Sequence, residues 1–104
     1  MTPEETAAPY KVILSKIQEA LGDRTSIEDQ VDNQLICLVE EVGEVAKAWR
    51  RATGRARIYD DFEHVCEELA DVIIVARLTF LILGENEDAH IQEKLRAIAV
   101  RGGR

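Results

Sequence analysis

The sequence predicts an all-α fold, four helices packed as a bundle. Three observations predict it. Proline and glycine are scarce, two and six in 104 residues, whereas strong helix formers such as Ala, Leu, Glu and Arg are plentiful. Gly22, Gly54 and Gly84 each follow a stretch of helical periodicity, where a helix-ending glycine belongs. No stretch alternates apolar and polar residues for long enough to read as a strand.

The first helix is expected from about Pro9, a residue suited to a first turn, to Leu21. Its apolar face is Ile13, Leu14, Ile17, Ala20 and Leu21. The second runs from Ile27 or Glu28 to Ala52, with Thr25 and Glu28 spaced as a capping box. The third spans about Asp61 to Leu83, with Asp60 as its cap. The fourth runs from about Glu87 to Val100 behind Asn86, a favoured cap residue. Gly102–Arg104 is expected to fray. The connection Thr53–Tyr59 is short, so the second and third helices should be antiparallel neighbours.

The length fits one domain, residues 1–104, with one modest core. A hydrophobic content of 46% beside 32% charged residues describes a globular chain rather than a disordered one. The net charge of −7 argues against nucleic acid as a partner, because phosphate backbones need a basic field. Cys37 and Cys66 lie within helical patterns and read as small buried apolar residues rather than a disulfide framework. The start, "MTPEETAAP", is acidic and lacks the apolar stretch of a signal peptide. The apolar run Val72–Leu83 is broken by Arg77 and too short to span a bilayer. A cytoplasmic location, with no membrane partner, is the expectation.

One pattern occurs twice. "EEVGEVA" at Glu40–Ala46 and "EELADVI" at Glu67–Ile73 lie 27 residues apart on consecutive helices. Each has two adjacent acids, an aliphatic residue, a small residue, a third acid and further apolar residues. With about 100° per residue, Glu41 and Glu44 flank the apolar stripe Val31, Leu35, Leu38, Val42, Val45 and Trp49. Glu40 points farther toward solvent. Glu68 and Asp71 flank the stripe of the third helix (Val65, Leu69, Val72, Ala76) in the same way, and Glu67 corresponds to Glu40.

Antiparallel helices packed by these stripes would gather four carboxylates at one edge. Like charges so close repel and raise one another's pKa. A hard divalent cation removes that cost. Mg²⁺ prefers oxygen ligands and combines carboxylates with substrate phosphates, and Mn²⁺ would serve as well. The alternative, that the acids merely solvate two amphipathic helices, suits a single E-x-x-E better than two copies at matching angles. Gly43, a helix-interior glycine costing about 1 kcal/mol against Ala, points to a close approach there, whether of a ligand or of a packed helix.

"EEVGEVAKA" followed by "EELADVI" resembles the E-x-x-E … E-x-x-D signature of the all-α nucleoside triphosphate pyrophosphohydrolases, in the MazG-like branch. The resemblance implies a four-helix MazG-like bundle and hydrolysis of a nucleoside triphosphate between the α and β phosphorus, giving a monophosphate and pyrophosphate. It implies a substrate among non-canonical or surplus triphosphates. It assigns Glu41, Glu44, Glu68 and Asp71 as ligands of Mg²⁺. Glu40 or Glu44 would take the proton of the attacking water, and the choice between them stays open. In "KLRAIAVRGG", Lys94 and Arg101 match the family's phosphate-binding cations, while Ile98 stands where relatives carry Asn, and Gly102 and Gly103 where they carry an aromatic residue and Pro. Relatives form dimers or paired dimers.

Two other functions compete. Phosphoribosyl-ATP pyrophosphohydrolase has similar acidic spacing, but the run "VIIVAR" after Asp71 disfavours it. A non-catalytic helical interaction module would need the acids only for solubility. Among other residues, Trp49 is expected in the core, His64 near Glu68 or on the surface, and His90 exposed. Arg50, Arg51, Arg55 and Arg57 are expected to be a solvated helix end rather than a ligand clamp, since basic residues favour helix C-termini, and loss of Arg55 or Arg57 is expected to change catalysis little. A homo-oligomer is expected from residues alone. Ile36, Val39, Gly43 and Ala46 form a second apolar face on the second helix, and Cys66, Ile73 and Phe80 extend one on the third. A four-helix monomer can hardly cover both.

Overall fold

A computed structural model of the chain describes residues 3–23 and 25–102. It contains four helices, α1 (Pro3–Leu21), α2 (Ile27–Ala52), α3 (Phe62–Leu83) and α4 (Glu87–Val100), and no strand among the described residues. Most of the expected tail, Gly103 and Arg104, lies outside them.

The helix ends follow local chemistry, with three adjustments. α1 begins at Pro3 and runs through Pro9. Pro3 takes the first-turn role expected of Pro9, and Pro9 costs the helix one backbone hydrogen bond. Ser26, not Thr25, caps α2, its hydroxyl accepting from the Asp29 N–H at 3.1 Å. Asp61, not Asp60, caps α3, accepting from the His64 N–H at 3.0 Å. Asn86 caps α4 as expected, accepting from the Ala89 N–H at 3.0 Å. Gly84 ends α3 with φ of 69°, a left-handed geometry that a side chain would strain.

α2 and α3 form an antiparallel pair that carries most of the tertiary packing. Trp49 near the end of α2 meets Phe62 at the start of α3, with ring centroids 5.7 Å apart. At the other end Leu35 and Leu38 share a groove with Ala76, Thr79 and Phe80. Ala48, Ala52 and Val65 are buried together, small residues that let the helix axes approach. α1 joins α2 where Gln18 Nε2 donates to Gln30 Oε1 at 3.1 Å. α4 touches α3 near its own first turns, through Arg77–Glu87 and a Phe80–His90 ring stack at 6.0 Å.

The packed face of α2 differs from the expected stripe. Of the expected stripe, Val31, Leu38 and Val45 are half-buried but Leu35, Val42 and Trp49 are exposed, while Gln30, Gln34, Ala48 and Ala52 are buried. These four buried residues and Val45 fall within about 40° of Glu41 around the helix. Glu41 is therefore in the middle of the contact face, not on its shoulder. On α3 the expected stripe holds at Val65, Val72 and Ala76, which are buried or half-buried, and fails at Leu69, which is exposed; Val75 and Thr79, also half-buried, widen the face so that Glu68 lies within it. Two apolar faces compete on each helix, and hydropathy alone does not rank them.

Other expectations shift with that rotation. Trp49 is not core, and Cys66 is exposed, though Cys37 is half-buried. On α1, Leu14, Ile17 and Leu21 are half-buried but Ile13 and Ala20 are exposed. Beyond the backbone of α2 itself, no atom of the described residues lies within 4 Å of where a Cβ on Gly43 would stand. The second apolar face is open, with Val39 at 74% and Ile36 at 63% exposure.

Candidate metal centre

Glu41 from α2 and Glu68 and Asp71 from α3 bring one carboxylate oxygen each to within 4.8 Å of one another. The antiparallel pairing produces this convergence, because it sets the middle of one helix against the early-middle part of the other. Glu41 and Glu68 are half-buried and Asp71 is exposed. The cluster is thus anchored in the helix interface and open to solvent on the Asp71 side, which a ligand exchanging with water requires.

Glu41 bears the electrostatic cost. Its carboxyl is raised above the ordinary 4.5, first by desolvation and then by the charges of Asp71, Glu68, Glu44 and Glu40. A divalent cation reverses both effects. It replaces lost hydration with direct coordination and turns mutual repulsion into shared attraction. Three carboxylates with one open side fit a hard cation that keeps water and phosphate ligands.

Glu44 is exposed one turn beyond Glu41 and is outside the converging trio, yet close enough for its charge to raise Glu41. Glu40 is exposed on the same turn. His64 stands in a ring of acids. Its Nε2 lies 3.4 Å from Glu68 Oε1 and 3.6 Å from Asp60 Oδ2, and its Nδ1 lies 3.5 Å from Glu67 Oε2. Of the two places open to it, His64 takes the one against Glu68. The i to i+4 spacing on α3 was the signal for that contact.

The two cations expected on α4 are elsewhere in this chain. Lys94 lines a groove with Phe80, His90, Ile91, Leu95 and Ile98, and Arg101 is the exposed C-cap of α4. Phe80 lies nine residues beyond Asp71, about 13 Å along α3. His90, expected to be exposed, is so, with Nε2 3.4 Å from Glu85 Oε2.

The arginines at the end of α2 are solvated as expected, with Arg50, Arg55 and Arg57 exposed and Arg51 half-buried. Arg50, Arg51, Arg55 and Arg57 line a cavity of about 600 Å³ together with Lys47. Sequence reading had the residues but not the concavity, which depends on how the chain folds back after Gly54.

No helix among the described residues is long and apolar enough to cross a membrane. The family model of the MazG nucleotide pyrophosphohydrolase domain matches residues 30–100, from the first turn of α2 to the last residue of α4. No curated protein and no solved structure matches the chain. With the match spanning more than half of the chain and both acidic motifs, the chain belongs to the MazG nucleotide pyrophosphohydrolase domain family, a family of hydrolases acting on acid anhydrides.

Proposed function

We propose that the chain is a metal-dependent nucleoside triphosphate pyrophosphohydrolase acting on non-canonical or surplus triphosphates. The convergence of Glu41, Glu68 and Asp71 within a MazG domain is the observation that carries this reading. Glu41, Glu44, Glu68 and Asp71 would hold Mg²⁺, with Mn²⁺ as a substitute. When bound, the ion supplies charge neutralisation for the polyphosphate and a lowered pKa for water.

The chain's own residues do the remaining work. Water attacks the α phosphorus, the bond between that phosphorus and the bridging oxygen breaks, and pyrophosphate leaves with the bond's electron pair. A carboxylate oxygen of Glu40 or Glu44 takes the water's proton. Both are exposed, so both are reachable by solvent. Lys94 and Arg101 of a second copy of the chain bind substrate phosphate, offsetting charge that the acids would otherwise repel.

A homodimer or homotetramer is the working form. The chain exposes 7913 Å², against about 5,900 Å² for a compact monomer of its mass. Its radius of gyration is 16.4 Å, against about 13 Å expected. The excess surface is the size of an obligate interface.

The test is product analysis across a panel of nucleoside triphosphates with Mg²⁺ or Mn²⁺. Equimolar monophosphate and pyrophosphate, abolished by a chelator, are expected. Release of orthophosphate with a diphosphate, or no turnover of any panel member, rejects the reading.

A further inference from the structure

The cavity at the end of α2 concentrates positive charge in an acidic chain. Five of its eight lining residues are Lys47, Arg50, Arg51, Arg55 and Arg57, and none is acidic. Among the described residues, no carboxylate lies within ion-pair distance of any of the five. Complementing a helix dipole explains Arg50 and Arg51 in the last turn. It does not explain Lys47, which precedes that turn, or Arg55 and Arg57, which follow the helix.

The backbone makes the concavity. Gly54 has φ of 73°, a left-handed turn that returns the chain toward the helix. The Arg55 N–H donates to the Arg50 carbonyl at 2.8 Å. Arg55 Nε donates to Thr53 Oγ1 at 3.0 Å, and that hydroxyl donates to the Trp49 carbonyl at 2.7 Å. One edge of the Arg55 guanidinium is thereby held, and its remaining N–H groups stay free to donate.

The cavity follows the acid centre along α2. Lys47 and Arg51 lie about 9 Å and about 15 Å beyond Glu41 along the axis, on the side of the helix that carries Glu44. Side chains on a helix lean toward its N-terminus, so both cations tilt back toward the acids. We propose that this cavity is a polyphosphate-binding site that takes the β and γ phosphates of the substrate, while the α phosphorus sits at Glu41, Glu68 and Asp71. The proposal rests on the pyrophosphohydrolase reading for its substrate. The anion site itself rests on the cavity.

The test uses inorganic tripolyphosphate as the probe, titrated calorimetrically into the full chain without metal, where the acid centre repels it. Arg51→Gln/Arg55→Gln is compared with Lys16→Gln/Arg96→Gln, which removes the same net charge at exposed positions of α1 and α4. Loss of the arginine pair should weaken binding about tenfold or more, as expected for losing two charge-assisted contacts, and the control pair should bind as wild type does. Equal weakening in both pairs, wild-type binding by the arginine pair, or no binding by the wild-type chain overturns the site. Tripolyphosphate should also inhibit triphosphate hydrolysis competitively, and non-competitive inhibition overturns the assignment to substrate phosphates. The two readings fail separately. Nucleotide turnover by the wild-type chain together with undiminished tripolyphosphate binding by Arg51→Gln/Arg55→Gln removes only the cavity, whereas selective loss of binding in that pair without turnover of any nucleotide leaves the anion site and removes the enzyme.

Discussion

Arg77 of α3 grips Glu87 of α4 through three hydrogen bonds. Its Nε donates to the two carboxylate oxygens at 2.9 and 3.1 Å, and its Nη2 donates to Oε2 at 3.0 Å. Nη1 donates to Tyr10 Oη at 3.1 Å, and the guanidinium carbon lies 5.4 Å from the centre of the Tyr10 ring. A residue that looks like an interruption of an apolar run thus joins α1, α3 and α4. Arg77→Ala should destabilise the chain by about 2 kcal/mol, because Glu87 loses its partner while half-buried. The cost stays below that of a buried pair because both side chains keep solvent contact, 37% and 24%. Urea denaturation measures it, and no loss of stability would reduce the contact to a surface accident.

Metal-free stability should depend on pH through Glu41. Its folded pKa is raised above 4.5 by desolvation and by the neighbouring acids. The folded chain therefore holds a proton that the unfolded chain has released, so this contribution is fully present below about pH 4.5 and is lost as pH rises through the folded value. In metal-free buffer at neutral pH, Glu41→Gln should melt above wild type, and the gap should shrink toward pH 4. Saturating Mg²⁺ should invert the order at neutral pH, because only wild type gains full binding energy. Melting curves with chelator and with Mg²⁺ check both signs.

The α4 cations are expected to act on catalysis rather than folding. Lys94→Ala and Arg101→Ala should each lower kcat/KM on the order of 10²-fold, the scale of a charge-stabilising group in phosphoryl transfer. Both side chains are exposed, so the helical signal should survive. Arg96→Ala, on the same helix, should leave steady-state kinetics unchanged. Equal effects at all three positions would remove the specific role of Lys94 and Arg101.

Association should be measurable directly. Val39 is 74% exposed at the centre of the open α2 face. Light scattering at micromolar concentration should give at least twice the 11.7 kDa chain mass, and Val39→Lys should shift the population toward monomer. A wild-type monomer contradicts the proposed assembly.

The helix ends were legible where one residue settles the backbone: Asn86 before α4, and Gly84 with its positive φ. The acid pair was legible because its spacing repeats on two helices joined by a short connection. The orientation of α2 was not. Leu35, Val42 and Trp49 form the more apolar stripe, yet the face carrying Gln30, Gln34 and Ala48 packs within the chain. Small and hydrogen-bonded residues allow that close approach, with Gln30 donating to the Thr25 carbonyl and accepting from Gln18. Hydropathy counts apolar area and does not register small size or paired amides. The basic cavity was hidden for a different reason, since its shape arises from the turn at Gly54 and not from the list of arginines.

Glu41, Glu44, Glu68 and Asp71 are proposed to hold one divalent cation, and Glu41, Glu68 and Asp71 are the three that converge. Titration of Mn²⁺, followed by the electron paramagnetic resonance signal of the free ion, tests it most directly because it needs neither substrate nor turnover. Wild type should bind the ion at a saturable site that Mg²⁺ competes for, and Glu41→Gln, Glu68→Gln and Asp71→Asn should each weaken that site on the order of 10²-fold, with circular dichroism unchanged. Wild-type affinity in all three variants would contradict the account.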